Sequence, residues 1–232
     1  MSTVQAVLLD LGGVFYLPDH DRVLGALATL ELLIEQHRLD EAHYHGVAAL
    51  EDLRADDVSI WQGYHRAYAR VCGVAPDVIE QAATVLDEEF ERGDMWTRVI
   101  PGSRAALREL DELGVGLAVV SNAEGTAEEQ LRADGICQVG PGLGVPVAAV
   151  LDSSVVGVSK PDPAIFELAL DALGVDPAHA IHVGDTPAAD VVGARAAGVT
   201  PVLVDPYDLH PEVDCRRVRS LADVPAIVRA GP

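Results

Sequence analysis

The sequence places polar groups that could take part in catalysis directly after short apolar runs. Asp10 follows the first run, and Ser121 and Asn122 follow a second. Asp185 follows a later run, and Asp190 lies five residues beyond it. Carboxylate oxygens are ligands that Mg²⁺ prefers, and hydroxyl and amide groups can hydrogen-bond a phosphate oxygen. Together, these groups could hold a divalent cation and a phosphoryl group.

The chain contains a single lysine. Of its 16 basic residues, 15 are arginines and the remaining one is Lys160. An ammonium group is a compact point charge that suits a phosphate, whereas the arginine fork is larger and planar. An aspartate nucleophile, a metal, a lysine and a hydroxyl are what phosphoryl transfer through an aspartyl-phosphate needs. We therefore interpret Lys160 as a functional residue.

Strands and helices alternate along most of the chain. The apolar runs predict strands near residues 6–10, 116–120, 147–151, 180–183 and 201–204. Helices are predicted between them over residues 104–113, 126–133, 163–173 and 187–197. This alternation favours a parallel sheet with helices on both faces. Ligands bind at the carboxyl ends of strands in such sheets, where the polar groups, with Asp152 and Ser153 after a further strand, would meet.

The segment between residues 16 and 97 has a different pattern. Apolar residues such as Val23, Leu27 and Leu30 repeat at helical spacing, and we find about four helices and no convincing strand. The sequence therefore predicts a Rossmann-like, doubly wound α/β core over residues 1–15 and 98–232. An all-helical domain over residues 16–97 is inserted after the first strand.

Composition limits the partners of the protein. The formal net charge is −21, with 49% apolar and 23% charged residues, which is typical of a globular protein. Such an acidic chain disfavours nucleic acid and anionic membranes. There is no basic leader and no apolar run of ~18 residues, and three widely spaced cysteines suggest neither zinc nor disulfides. We expect a cytoplasmic protein, monomeric or homodimeric.

Four motifs surround the polar residues, in the order Leu8-Leu-Asp10-Leu-Gly12-Gly-Val14, Val119-Val-Ser121-Asn122, Ser159-Lys160-Pro-Asp-Pro163 and Val183-Gly-Asp185-Thr-Pro-Ala-Ala-Asp190. With these motifs the sequence resembles the haloacid dehalogenase-like hydrolases over essentially its whole length. The resemblance implies that the helical insert is a C1-type cap domain that closes over the site.

The resemblance also implies roles for individual residues. Asp10 would be the nucleophile, and Lys160 would bridge the phosphate and the Asp10 carboxylate. The phosphate-binding residues would be Ser121, Asn122 and Lys160. The Mg²⁺ ligands would be Asp10, Gly12 through its backbone carbonyl, Asp185, and Asp190 either directly or in the outer shell.

Gly12 departs from the pattern of most phosphatases of this family, which carry a second aspartate there as general acid. Loss of a general acid typically lowers the rate by ~10²–10⁴. Good leaving groups, or a proton donor from elsewhere in the chain, would compensate. His20, ten residues beyond Asp10, is a hypothetical donor, although a surface loop histidine is the simpler interpretation.

Several functions therefore stay open. The first is a Mg²⁺-dependent phosphomonoesterase acting on a small phosphorylated metabolite. A metal-independent 2-haloacid dehalogenase is the second, but Asp185 with Asp190, and Gly12 followed by Gly13, argue against it. The third is a catalytically silent binding protein, for which Gly12 is the best support. A phosphosugar mutase would need the missing acid to shuttle protons.

Overall fold

The computed structural model describes residues 3–32, 34–50 and 57–230. Their ten strands are β1 (Ala6–Leu9), β2 (Tyr16–Pro18), β3 (Trp96–Val99), β4 (Gly116–Ser121), β5 (Cys137–Val139), β6 (Val145–Val147), β7 (Val150–Asp152), β8 (Ala180–Gly184), β9 (Thr200–Val204) and β10 (Arg216–Val218). Their ten α-helices are α1 (His20–Ala28), α2 (Leu39–Ala49), α3 (Asp57–Val71), α4 (Ile79–Phe90), α5 (Ser103–Glu112), α6 (Ala127–Ala133), α7 (Ser153–Val156), α8 (Pro163–Leu173), α9 (Val192–Ala196) and α10 (Val224–Ala230). No helix of this described part is both long and apolar enough to cross a bilayer.

The chain divides into two compact units. The first comprises Met1–Phe15, Ile100–Pro206 and Glu212–Pro232, and the second comprises Tyr16–Val99 and Tyr207–Pro211. The second unit thus takes in residues 98, 99 and 207–211, which the sequence analysis placed in the core. The division into a catalytic core and a cap stays a prediction.

A six-stranded parallel sheet forms the centre of the first unit. Its strand order is β10-β9-β8-β1-β4-β7, and each pairing in it is parallel. The predicted doubly wound α/β fold is confirmed. All four residues of β1 are fully buried, so both faces of the central strand are covered, as expected of an apolar run in a parallel sheet.

Helix α8 shows how the sequence builds one of the layers that cover this sheet. The Asp162 side chain accepts a hydrogen bond from the backbone N–H of Ala164 at the start of the helix, and Gly174 ends it at a positive φ. Its buried face, with Ile165 and Phe166, packs with Leu8 and other sheet residues in one cluster. The prediction of a helix over residues 163–173 is confirmed.

The second unit contains the four predicted helices, α1 to α4, but it is not all-helical. Strands β2 and β3 form a two-stranded antiparallel ribbon, so the prediction of an insert without strands is wrong at its two ends. Three- and four-residue strands show too little alternation to be recognised in a sequence. Tyr64 and Tyr68 are buried in the core of this unit, whereas Trp61 is 41% exposed.

Other elements of the first unit differ from the prediction in their bounds. The helix predicted over residues 187–197 begins as a π-helical turn, Pro187–Val191, before α9. The strand predicted over residues 147–151 is β7, Val150–Asp152, and β6 before it pairs with β5 instead. These short segments lie where apolar and turn-forming residues mix, so the sequence pattern sets the element but not its ends.

Candidate active site

The strand order brings the predicted site residues to one edge of the sheet. Strands β8, β1 and β4 are neighbours. Asp10 directly follows β1, Ser121 is the last residue of β4, and Asp185 directly follows β8. The backbone N–H of Asp10 donates to the carbonyl of Val183 at 2.8 Å, which extends the pairing to the nucleophile candidate itself. The carboxyl ends of three adjacent strands thus carry the site.

Lys160 lies between two carboxylates. Its Nζ is 2.7 Å from Oδ1 of Asp10 and 2.7 Å from Oδ1 of Asp190, and all three side chains are buried. Oδ1 of Asp10 also accepts a hydrogen bond of 2.7 Å from the backbone N–H of Leu11. A buried ammonium shared by two carboxylates fixes the position of the lysine, because leaving that charge without partners would be costly.

The electrostatics of the site favour an added cation. Burial raises the pKa of Asp10 to about 7, and the charges of Asp190 and Asp185 act in the same direction while Lys160 opposes them. Burial also works against the charge of Lys160, but Asp10 and Asp190 together raise its pKa above the ordinary lysine value. In the described part of the chain, a single buried lysine thus contacts two of these three buried carboxylates.

The same carboxylates have the geometry of a metal site. Asp10, Asp185 and Asp190 each offer one oxygen, and these oxygens lie within 4.8 Å of one another. Buried oxygen ligands with net negative charge are the donor set that Mg²⁺ selects, so the residues fit the predicted ion. Gly13 adopts a φ of +63°, and a Cβ there would lie 2.0 Å from Oδ2 of Asp185. Only glycine allows this turn to approach Asp185 so closely.

Gly12 lies in the same turn and is partly exposed. Unlike Gly13, it is not among the glycines with positive φ, so backbone conformation does not demand a glycine at position 12. Its predicted role, a backbone carbonyl that faces the metal, stays a prediction.

Asp190 is fixed by more than its ion pair. Its Oδ1 also lies 2.8 Å from Nε2 of His182, and its Oδ2 accepts a hydrogen bond of 2.9 Å from the backbone N–H of Thr186. Lys160 and His182 hold the pKa of Asp190 below its usual range, although burial opposes this. Asp190 is thus an ionised anchor for Lys160 as well as a candidate metal ligand.

His182 is a site residue that the sequence motifs did not single out. It is fully buried in β8, and burial lowers its pKa, which disfavours the charged ring. In the tautomer with the proton on Nε2, the ring donates a hydrogen bond to the Asp190 carboxylate. Its ring also packs edge-on against Phe166, with centroids 4.9 Å apart. A polar residue in an otherwise apolar buried strand was the available signal.

Replacing His182 tests this hydrogen bond. We expect His182→Leu to lower the free energy of unfolding by about 1–3 kcal/mol, because a buried carboxylate oxygen loses a donor. His182→Gln, whose amide N–H can donate, should recover part of the loss. Urea unfolding of the three proteins measures the effect, and equal stability of the leucine and glutamine variants would show that the hydrogen bond is unimportant.

Asn122 contacts the backbone of Lys160. Its Oδ1 accepts from the Lys160 backbone N–H at 2.8 Å, and its Nδ2 donates to the Lys160 carbonyl at 3.0 Å. This paired bond ties the end of β4 to the segment that carries the lysine. Direct phosphate binding by Asn122, and by the buried Ser121, stays a prediction.

His20 belongs to the second unit, where it is the first residue of α1. Its Nε2 lies 3.0 Å from Oδ1 of Asp40, which also accepts from Arg98. The hydrogen bond from His20, helped by Arg98, lowers the pKa of Asp40 to about 2. His20 is therefore held by a carboxylate rather than free in a surface loop, and its role as a proton donor stays a prediction.

Comparison with known proteins places this site in a family. A family profile described as haloacid dehalogenase-like hydrolase matches residues 4–198. The chain belongs to the haloacid dehalogenase-like hydrolases. All four motifs, and the residues that the structure gathers at the sheet edge, lie within the matched range, so the resemblance noted in the sequence is confirmed.

Individual members of the haloacid dehalogenase-like hydrolases differ in their chemistry. A phosphoserine phosphatase of Thermus thermophilus is 38% identical over 140 residues, which cover 60% of this chain and 52% of that protein. A phosphoglycolate phosphatase of Rhodospirillum rubrum is 41% identical over 115 residues, covering 49% of this chain and 44% of the relative. The chain thus spans about half the length of these curated relatives.

Solved structures are similar to this chain over almost its whole length, and one of them serves as an example. It is a 2-haloacid dehalogenase from Pseudomonas syringae, 22% identical, with a TM-score of 0.57 and coverage of 98% of this chain and 99% of the other. At this identity the likeness shows the shared fold alone. The chemistry must therefore be argued from the site.

Proposed function

We propose that this protein is a Mg²⁺-dependent phosphomonoesterase that hydrolyses a small phosphorylated metabolite through an aspartyl-phosphate on Asp10. The observation that carries the proposal is the placement of Asp10 against both Lys160 and a cluster of two further buried carboxylates. The two phosphatases similar to this chain add support. A dehalogenase needs the aspartate nucleophile but not the acidic cluster.

The reaction has two displacements at phosphorus. In the first, a carboxylate oxygen of Asp10 forms a bond to phosphorus and the bond from phosphorus to the leaving oxygen breaks. In the second, a water oxygen bonds to phosphorus, the bond to Asp10 breaks and restores its carboxylate, and inorganic phosphate leaves with the protons of that water. The Lys160 ammonium and the Ser121 hydroxyl stabilise the charge on the transferring oxygens. Lys160 also orients Asp10, because the two groups are in contact.

Asp10, Asp185 and Asp190 would hold the metal, with the Gly12 carbonyl as a further ligand. A bound Mg²⁺ would neutralise charge on the phosphoryl oxygens and on the buried carboxylates, Asp10 among them.

The leaving oxygen receives no proton from position 12, where the chain has glycine. It therefore departs as an anion, or takes a proton from water or from another residue of the chain, for which His20 stays the predicted candidate. Without such a donor, substrates whose leaving groups are weak bases are favoured. The strongly negative chain, at −21, favours small, singly phosphorylated molecules over polyanions. We propose that the second unit, inserted after β1, is the cap that selects among them. The cytoplasmic location and the monomeric or homodimeric state stay predictions.

Metal dependence tests the proposal directly. We expect phosphate release from a panel of small phosphomonoesters to require Mg²⁺ and to stop on addition of EDTA. Asp185→Asn should raise the Mg²⁺ concentration needed for half-maximal activity by about tenfold or more, because a charged ligand becomes neutral. Asp176→Asn is the matched control, since Asp176 caps a 3₁₀ helix and accepts from Ala178.

The same panel separates the other functions. Halide released from 2-haloacids without Mg²⁺ would identify a dehalogenase and overturn the proposal. No turnover of any substrate, together with retained binding of Mg²⁺ and inorganic phosphate, would identify a silent binding protein.

A further inference from the structure

The polar residues at the end of β7 and directly after it contact the segment that follows β4. Strands β4 and β7 pair so that Ser121 lies opposite Asp152. Residues 122–127 and the tripeptide Asp152-Ser153-Ser154 therefore leave the sheet at neighbouring positions. We refer to residues 122–127, the loop after Ser121 together with the first residue of α6, as the 122–127 loop. We refer to this tripeptide as the clasp, because each of its three side chains contacts the 122–127 loop.

Asp152 makes the central contacts of the clasp. Its Oδ2 accepts hydrogen bonds from the backbone N–H groups of Gly125, at 2.9 Å, and Ala127, at 3.2 Å. Its Oδ1 accepts from the N–H of Ser154 at 3.0 Å. Capping the four-residue helix α7 occupies only the Oδ1 contact, whereas the Oδ2 contacts hold Gly125 and Ala127, the first residue of α6, to the end of β7.

The two serines hold a single residue of the loop. The hydroxyl of Ser153 accepts from the backbone N–H of Ala123 at 3.2 Å and lies 3.3 Å from its carbonyl. The hydroxyl of Ser154 donates to the same carbonyl at 2.6 Å. Both backbone polar groups of Ala123, two positions after Ser121, thus bond to the clasp.

We propose that Asp152, Ser153 and Ser154 are positioning residues that fix the 122–127 loop and, through it, the phosphate-binding geometry of Ser121. The inference rests on the proposed function, because it assigns the clasp to that site. Asn122 ties the start of the same loop to the backbone of Lys160. The clasp and Asn122 therefore hold the loop from two sides, which keeps the Ser121 hydroxyl at a fixed place relative to the lysine.

The buried carboxylate of Asp152 is compatible with an anion site nearby. It is 3% exposed, and three N–H groups share its charge. Such charge-assisted bonds are stronger than neutral ones. The amides of Gly125 and Ala127 bond to Asp152, so the side chains of Ser121 and Lys160 are the donors we assign to the phosphate.

Asp152→Asn is the main test. The amide keeps the size of the side chain but has only one oxygen, so the loop amides and the Ser154 N–H cannot all keep a partner. We expect hydrogen exchange in residues 123–127 to accelerate about tenfold or more, and the Kd for inorganic phosphate, measured with Mg²⁺, to rise about tenfold. For an active ester of the panel, kcat/KM should fall by about 10- to 100-fold, mainly through KM.

Ser153 and Asp176 provide the matched controls. Ser153→Ala should weaken phosphate binding in the same direction, and Ser153→Thr, which keeps the hydroxyl, should restore it. Asp176→Asn removes the charge of an exposed capping residue elsewhere in the first unit and should leave phosphate binding unchanged. The serine pair also decides the question if Asp152→Asn does not fold.

The outcomes separate the two levels of the proposal. Faster exchange in the loop with weaker phosphate binding supports the clasp as a positioning device. Lower thermal stability with unchanged phosphate Kd and KM would make it purely structural and overturn the inference. If the wild-type protein neither hydrolyses any ester nor binds phosphate, the proposed function fails, whereas unchanged exchange in Asp152→Asn contradicts the clasp independently of activity.

Discussion

Asp10→Asn is expected to reduce phosphate release by on the order of 10⁴-fold or more, the scale of loss when an enzyme nucleophile is removed. The substitution keeps the shape of the side chain. It removes the negative charge and replaces one carboxylate oxygen by an amide nitrogen, so the side chain is no longer an effective nucleophile. The fold should survive, because Lys160 retains Asp190 at 2.7 Å. Thermal stability should be unchanged or higher, since a buried neutral amide avoids the desolvation of a buried carboxylate.

Two further measurements make this result specific. Mass spectrometry of acid-quenched wild-type protein should find a phosphoryl group on the peptide that contains Asp10, and the variant should carry none. Asp10→Ala guards against deamidation of the new asparagine, and Asp176→Asn controls for a generic loss of one carboxylate. Asp10→Asn protein that keeps more than about a tenth of wild-type activity would show that another residue is the nucleophile.

The convergence of the site could be predicted because it depends on the sheet alone. In a parallel sheet the carboxyl ends of the strands share one edge. Once apolar runs were assigned to strands, Asp10, Ser121 and Asp185 had to lie at that edge, and they do. The parallel sheet could be predicted from the alternation of strands and helices, because this pattern extends over most of the chain.

The contacts that organise the site could not be predicted in the same way. Asn122 bonds to Lys160 across 38 positions of sequence, and Asp152 bonds to Gly125 across 27. In each pair the side chain bonds to a backbone group, which every residue carries. The residue types therefore do not indicate which groups will bond. The contact of His182 with Asp190 was missed for a related reason, since a histidine in a buried strand does not indicate which group it will bond to.

The antiparallel ribbon shows the corresponding limit for the fold. Strands β2 and β3 pair through backbone groups at the two ends of the inserted segment. The sequence pattern places Tyr16-Leu-Pro18 at the start of the helical segment, because three residues are too few to show the alternation of buried and exposed side chains that indicates a strand. These two strands lie far apart in the sequence and pair within one compact unit. Neither strand's own residues indicate that pairing.

Lys160→Met is expected to have the second largest effect, on stability as well as on activity. It leaves the buried carboxylates of Asp10 and Asp190 without their shared cation, and loss of one partner of a buried ion pair typically costs about 3–5 kcal/mol. Phosphate release should fall at least about a hundredfold, because a group that stabilises charge in the transition state is lost. Urea unfolding and phosphate assays measure the two losses.

The effect of Mg²⁺ on the stability of Lys160→Met gives a more specific test of the Lys160 prediction. Added Mg²⁺ should stabilise Lys160→Met more than it stabilises the wild type, because Asp10 and Asp190 have lost the ammonium that they share. Lys160→Arg should recover part of the stability but not the activity, since a planar guanidinium cannot replace a point charge between two carboxylates 2.7 Å away.

A double-mutant cycle decides whether the lysine acts through Asp10. In the double variant Lys160→Met with Asp10→Asn, one of the stranded charges is gone, so the total loss of stability should be smaller than the sum of the single losses by at least about 1 kcal/mol. Losses that add to within ~0.5 kcal/mol would mean that the two side chains do not interact energetically. The geometry predicts strong coupling, because a buried ammonium and a buried carboxylate in contact each depend on the other for their charge.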